Sequence, residues 1–292
     1  MLNALTIDVE DYFHVMAFAR QIGPRDWDHY PRRVENNTNR ILDLLGQRGV
    51  RATFFVLGWV AEKCPDLVKR ISALGHEIGC HGYAHQAIYE GSYDDFQHDL
   101  RRAKGVIESI TGCALRSYRA PSYSITSKTL WAFGVLAEEG FRYDSSIFPI
   151  AHDLYGIPNS PRFPYVKILK SGHAITEFPA STLRLFGINF PIGGGGYLRL
   201  LPYSVTAAAI RKLNEREKQP VMVYFHPWEI DPEQPRIPAS WRSRFRHYQN
   251  LETTETKIKN LLNDFSFSTM EQVLAERALD IHSDSNTAEL FG

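Results

Sequence analysis

Apolar positions along the chain follow two alternating rhythms. Unbroken apolar runs occur at residues 2–9 (LNALTIDV), 52–57 (ATFFVL) and 221–225 (VMVYF). Elsewhere apolar side chains recur at three- and four-residue spacing. Val34, Ile41, Leu42, Leu44 and Leu45 do so within 34–48, and Val60, Ala61, Leu67, Val68, Ile71 and Leu74 within 59–74. The first kind of run predicts buried strands, the second amphipathic helices. Further helices are expected over 93–110, 127–139 and 203–218, with short strands at 77–80, 114–118 and 141–143. Four helices close at Gly49, Gly75, Gly112 and Gly140, each followed within a few residues by a strand. Glycine takes the left-handed residue beyond a helix end without steric cost. Strand–helix alternation needs crossover connections, and so favours a parallel sheet.

Residues 149–202 interrupt this rhythm with Pro149, Pro158, Pro161, Pro164, Pro179, Pro191 and Pro202, plus four consecutive glycines at 193–196. Long loops are expected here, with strands near 165–169 and 174–179. The glycine run lacks the spacing of a phosphate-binding loop and reads as a flexible wall of a cleft. Residues 229–248, rich in Pro and Arg, read as a loop. Segments 255–265 and 269–278 read as closing helices, and the last dozen residues as a frayed tail. No repeat or linker divides the chain. A single domain is expected over 1–292, with a core at about 2–230, helical closure at 231–280 and the tail at 281–292.

Composition narrows the function. In 292 residues, 33 Lys and Arg balance 33 Asp and Glu, and 43% of residues are hydrophobic. Such a chain can bury enough apolar surface to fold. No basic excess exists to neutralise phosphates, so no nucleic-acid partner is expected. Cysteines 64, 80 and 113 form no CxxC pair, which argues against a disulfide framework and for a reducing compartment. No basic segment precedes Asp8, and no run reaches the roughly 18 apolar residues of a membrane span. A cytoplasmic protein without a span is expected; a peripheral place at the inner membrane face and a homo-oligomer are left open.

The unusual polar residues all follow strands. Asp8, Glu10 and Asp11 follow the first, His81 and His85 the 77–80 strand, and Arg119 the 114–118 strand. Asp144 follows 141–143, and His226 follows 221–225. In a parallel α/β sheet or barrel the carboxyl ends share one face, where active sites form. Two imidazoles spaced as in His81-Gly-Tyr-Ala-His85, with one carboxylate, suit a divalent ion such as zinc. The plainer alternative is a pair of surface or helix-capping histidines. Three acids within four residues would repel one another in a dry site unless a cation or an arginine intervened.

Four motifs carry a family resemblance: IDVEDYF (7–13), HGYAH (81–85), YRAPSYS (118–124) and VYFHPWEID (223–231). In order and spacing the chain resembles the polysaccharide deacetylases of carbohydrate esterase family 4, which share the nodulation-type deacetylase homology domain. The extended IDVEDYFH start, the GFRYDSSIFP stretch (140–149) and the glycine run resemble the subgroup associated with bacterial exopolysaccharide gene clusters. The resemblance implies a distorted barrel of about seven parallel strands with helices outside. It also implies one divalent metal, most simply zinc, with cobalt, manganese, nickel or iron as alternatives. The implied activity is N-deacetylation of N-acetylhexosamine in a polysaccharide or its lipid-linked precursor.

By motif position the resemblance implies Asp8 as the general base, Arg119 as its ion-pair partner, His81 and His85 as metal ligands, and His226 as the general acid. The family's usual pair of adjacent aspartates is absent, since Val9 follows Asp8. The metal carboxylate is therefore Glu10 or Asp11, with Glu10 favoured. Ser122 is placed as a backbone oxyanion donor, and Asp144 is a candidate tuner of His226. Tyr123 and Trp228 are candidates either for stacking on a sugar ring or for core packing. Other readings are a hydrolase of a small cyclic amide or imide (allantoinase-like), a non-haem iron oxygenase, and a non-catalytic carbohydrate binder.

Overall fold

The computed structural model describes residues 1–281. The strands are β1 (Leu2–Val9), β2 (Thr53–Val56), β3 (Glu77–Cys80), β4 (Ser117–Tyr118), β5 (Tyr143–Asp144), β6 (Tyr165–Ile168), β7 (Ala174–Glu177), β8 (Thr182–Leu185), β9 (Ile188–Pro191), β10 (Met222–Phe225) and β11 (Ser266–Ser268). The main sheet runs β10-β1-β2-β3-β4-β5-β7-β6, and β11 lies beside β1. Every neighbour pair is parallel except β6 with β7, so seven parallel strands form the continuous path. Helices α1 (Val34–Gly46), α2 (Gly58–Lys63), α3 (Pro65–Ala73), α4 (Tyr93–Thr111) and α5 (Ala132–Glu138) make the crossovers. The expected parallel α/β architecture is present, but strand pairing does not close it into a ring.

One register contour explains how the site forms. Val9 pairs with Val56, Val56 with Cys80, Cys80 with Tyr118, Tyr118 with Asp144, and Asp144 with Glu177. This row crosses the sheet at the strands' carboxyl ends. The next residues on three of those strands are Glu10, His81 and Arg119. Ile7 pairs with Phe225, which brings His226 level with Asp8.

The open side of the curled sheet is bridged by backbone. Tyr224 N donates to Gly193 O at 2.7 Å, and Gly195 N donates to Tyr224 O at 3.0 Å. Met222 N donates to Ser181 Oγ at 2.8 Å. A Cβ on Gly194 would stand 1.8 Å from Tyr224 O. The glycines at 193–195 are therefore a buried seam against β10, not the flexible wall that their composition suggested. Only residues without side chains let two backbones approach so closely.

Several boundaries differ from expectation for physical reasons. The helix expected over 59–74 breaks at Cys64 (φ −134°), because Pro65 cannot continue it and opens α3. Residues 127–131 form turns before α5. The chain also forms a separate β8–β9 hairpin, α6 (Gly196–Leu200) and α8 (Trp241–Tyr248), where loops were expected. Helix α7 (Tyr203–Glu215) precedes β10; α9 (Leu251–Asp264) and α10 (Met270–Ile281) close the chain. The expected tail lies, from residue 282 onward, outside the described residues. One apolar cluster runs from Leu5 to Phe267 and joins the faces of these elements.

Candidate active site

Glu10, His81 and His85 converge, their ligand atoms all within 4.8 Å of one another. His81 Nδ1 lies 2.8 Å from Arg119 O. Burial holds the His81 imidazole down at about pKa 4, so at neutral pH Nδ1 carries the proton it donates and Nε2 keeps its lone pair. His85 follows a tight turn and has φ +49°. That turn is clamped by Asp99 on α4, which accepts from Tyr83 N at 2.7 Å and Ala84 N at 3.0 Å. Glu10 Oε1 accepts from Trp228 Nε1 at 3.1 Å, and Glu10 Oε2 lies 2.8 Å from His85 Nε2.

The Glu10 Oε2 atom is buried, and beyond its contact with His85 Nε2 it has no hydrogen-bond partner. Burial alone would raise its carboxyl pKa, but His85, His226 and His81 outweigh that and hold it well below the usual range. A buried carboxylate oxygen converging with two imidazoles fits a divalent cation, with positions left for water and substrate.

Asp11, the alternative ligand, turns away. Its carboxylate accepts from Tyr12 N (3.0 Å), Arg33 N (2.7 Å) and Val34 N (2.9 Å). It thus satisfies otherwise orphaned N–H groups where α1 begins. Burial pushes its carboxyl up to about 6, although the three N–H groups pull the other way. The structure groups Glu10, and not Asp11, with the histidines.

Asp8 Oδ1 accepts from Arg119 Nη1 at 2.7 Å, and its Oδ2 lies 3.8 Å from His226 Nε2. Arg119 is fully buried and also donates to Thr6 Oγ1 (2.8 Å) and Ser145 Oγ (2.9 Å). A guanidinium satisfied in this way is fixed in position, and it fixes the carboxylate that it pairs with.

His226 Nδ1 lies 3.2 Å from Glu229 Oε1, which Arg199 on α6 also contacts at 3.3 Å. Burial alone would lower the His226 pKa; Glu10, Glu229 and Asp8 outweigh it and lift the imidazole to about 9. Asp144 does not reach His226. Its oxygens accept from Ser146 Oγ (2.7 Å) and Ser146 N (3.0 Å), and Glu177 adjoins it. The strand register explains this, since Asp144 pairs with Tyr118 and Glu177, far along the sheet from β10.

Ser122 (φ +55°) and Tyr123 (φ +53°) are consecutive left-handed residues just after Arg119. Non-glycine residues avoid that region, and strain of this kind collects at functional sites. Tyr123 is buried, its ring centroid 5.2 Å from those of both Phe148 and Tyr224. Trp228 lies between His226 (5.2 Å) and His247 (4.2 Å), stacked on both. Both aromatic rings are thus packed, and neither offers an open face for a sugar.

Sequence reasoning missed Asp99, Arg199 and Glu229. Only Glu229 left a signal, because it stands three residues after His226 in the same motif.

Residues 26–140 match the family described as polysaccharide deacetylase, and residues 145–275 match a domain of unknown function, DUF3473. A peptidoglycan-N-acetylglucosamine deacetylase of Bacillus cereus is 38% identical over 96 residues, 32% of this chain and 35% of that protein. A chitin deacetylase of Colletotrichum lindemuthianum is 39% identical over 92 residues, 30% of this chain and 37% of that protein. These matches span about a third of the length of the curated relatives. A solved structure of a candidate polysaccharide deacetylase from Mycobacterium smegmatis shares the fold, with a TM-score of 0.62 and 20% identity over 100% of this chain and 93% of that one. The family match and the relatives agree that residues 26–140, with their HGYAH and YRAPSYS loops, are similar to the polysaccharide deacetylases.

Proposed function

We propose that this protein hydrolyses the N-acetyl group of N-acetylhexosamine units in a polysaccharide or its lipid-linked precursor, releasing acetate. One observation carries the reading: the Asp8 carboxylate stands between Arg119 and His226, next to the Glu10–His81–His85 cluster. The IDVEDYFH and GFRYDSSIFP stretches favour a polymer of the bacterial exopolysaccharide type. His81, His85 and Arg119 come from the matched deacetylase segment, whereas His226 and Glu229 come from the segment of unknown function. We read both segments as one catalytic unit.

Glu10, His81 and His85 would hold the cation, most simply zinc. When bound, it supplies Lewis acidity toward the acetyl carbonyl and an acidified water. The protein's own groups do the rest. Asp8, oriented by Arg119, takes a proton from the attacking water. The Ser122 backbone N–H stabilises the developing oxyanion. Expulsion of an amine anion is prohibitive, so His226 Nε2 delivers a proton to the leaving nitrogen while Glu229 steadies the imidazolium at Nδ1.

The test is acetate release from N-acetylated oligosaccharides. It should vanish on chelation and return with zinc or cobalt. Asp8→Asn should lower the rate by about 10²- to 10⁴-fold and leave the metal content unchanged. An Asp8→Asn enzyme of full activity would overturn the role assigned to that carboxylate.

A further inference from the structure

Residues 154–214 are unlike the rest of the chain. They hold seven Lys or Arg and a single acid, Glu177, in a sequence whose charges otherwise balance. Glu177 is buried, so the surface of this stretch carries no carboxylate of its own. Eight of the fifteen exposed large apolar side chains among the described residues also fall between Leu154 and Val205.

The two features meet on the β8–β9 hairpin, which is not paired to the main sheet. Leu183 opposes Phe190, and Leu185 opposes Ile188. Cross-strand partners share a face, so these four side chains form one apolar surface. The other face is tied to the body of the protein: Asn189 Nδ2 donates to Pro149 O, and Arg162 Nη2 to Thr182 O, both at 2.8 Å. Leu183 is half-buried and packs against the core, whereas Ile188 and Phe190 of the same surface reach solvent, as Arg184 does on the other face. Ile188 is 62% exposed and Phe190 44%.

Its tip is Phe186-Gly187, with φ +51° and +81°. Asparagine or glycine takes such a tip position at lower cost. Phe186 is nevertheless fully exposed there. Neither packing nor turn chemistry accounts for a phenylalanine at that place.

The geometry points to the β8–β9 hairpin as an interfacial anchor that seats Phe186, Ile188 and Phe190 in an anionic lipid surface. Interfacial binding combines apolar burial with attraction of Lys and Arg to acidic headgroups. Exposed Arg184 on the hairpin and exposed Lys170 nearby in sequence supply the charge. A second copy of the chain is a poorer occupant, since it would set one acid-free stretch against another. No helix among the described residues is long and apolar enough to cross a membrane. Tyr155, on the loop that follows Pro149, lies 6.3 Å from Tyr123, which links the anchor to the rim of the candidate site. The inference stands apart from the proposed reaction, because it is tested without substrate.

The experiment is flotation of the purified protein with vesicles of phosphatidylcholine alone or mixed with phosphatidylglycerol. The protein should bind the mixed vesicles more tightly, and salt should weaken that binding. Phe186→Ser combined with Ile188→Ser should weaken partitioning by roughly tenfold or more without lowering Tm. Arg184→Glu should reduce binding to the mixed vesicles only. Trp241→Ser, which changes an exposed apolar residue elsewhere, should bind as the parent does. The inference is overturned if no vesicle binds, if the double variant binds like the parent, or if Phe186 and Ile188 instead drive self-association.

Discussion

His226 and Glu229 meet at 3.2 Å through Nδ1 and Oε1, and that contact decides which ring nitrogen faces Asp8. A group that donates a proton works only below its pKa, so in the role proposed for His226 a pKa of about 9 extends that role toward alkaline pH. Glu229→Gln keeps the shape and removes one negative charge. The alkaline limb of kcat/KM should then move to lower pH, with about a tenfold loss above the new limb for each unit it moves. Asp144→Asn should leave that limb in place, because Asp144 is held by Ser146 and Glu177. A pH–rate profile of the three proteins decides it; a limb that follows Asp144 and ignores Glu229 reverses the assignment.

Glu10 and Asp11 are neighbours in sequence with opposite tasks. Glu10→Ala should abolish stoichiometric metal, because it removes one of three converging ligands. Asp11→Ala should keep the metal and lower stability by about 0.5–2 kcal/mol, the usual loss when a helix start is uncapped. Elemental analysis after dialysis, run beside thermal denaturation, separates the two. Metal lost from Asp11→Ala and kept by Glu10→Ala would contradict the geometry.

What the sequence revealed follows from where each physical signal lies. Strand ends were legible because apolar runs stop where polar residues begin, and the contour from Val9 to Glu177 then aligned Glu10, His81 and Arg119. The sequence favoured Glu10 over Asp11 without deciding between them, since the choice depends on which acid meets the backbone of Arg33 and Val34, more than twenty residues away. Asp99 was hidden for the same reason: it sits mid-helix on α4 and acts on a distant turn. Helix α8 holds three arginines in eight residues and reads as a polar loop by composition, and Arg199 tethers its end through the carbonyls of Arg246, His247 and Gln249. The β8–β9 hairpin escaped because its turn is Phe-Gly, which lacks the usual hairpin signature.

Asp144 and Glu177 form a buried acid pair behind Arg119. Burial and the Asp144 charge push the Glu177 pKa well up. Its Oε2 has no donor to accept from, as a protonated carboxyl facing a carboxylate would show. The sign follows directly. A carboxyl whose folded pKa is raised contributes stability below its unfolded pKa, and that contribution is lost as pH rises through the folded value. Glu177→Gln stays neutral, can still accept from Ile147 N and can donate to Asp144. It should therefore raise Tm relative to the parent, by a margin that grows as pH rises above about 4.5. A margin independent of pH would mean that Glu177 is already ionised in the fold.

Gly194 tests whether the backbone seam holds the catalytic end of β10. Its φ is +153°, and an added Cβ would stand 1.8 Å from Tyr224 O, so Gly194→Ala must open the contact. The strand carries Tyr224 directly into Phe225 and His226, and any displacement passes to the proposed acid. A stability loss of about 3 kcal/mol or more is expected, a fall of roughly 6–12 °C in Tm for a chain of this size. Gly196 is the matched control. It opens α6, and an added Cβ would meet only Arg199 Nη2, at 3.9 Å. Gly196→Ala should keep both Tm and acetate release. If the two substitutions behave alike in thermal denaturation, the seam does not support the strand.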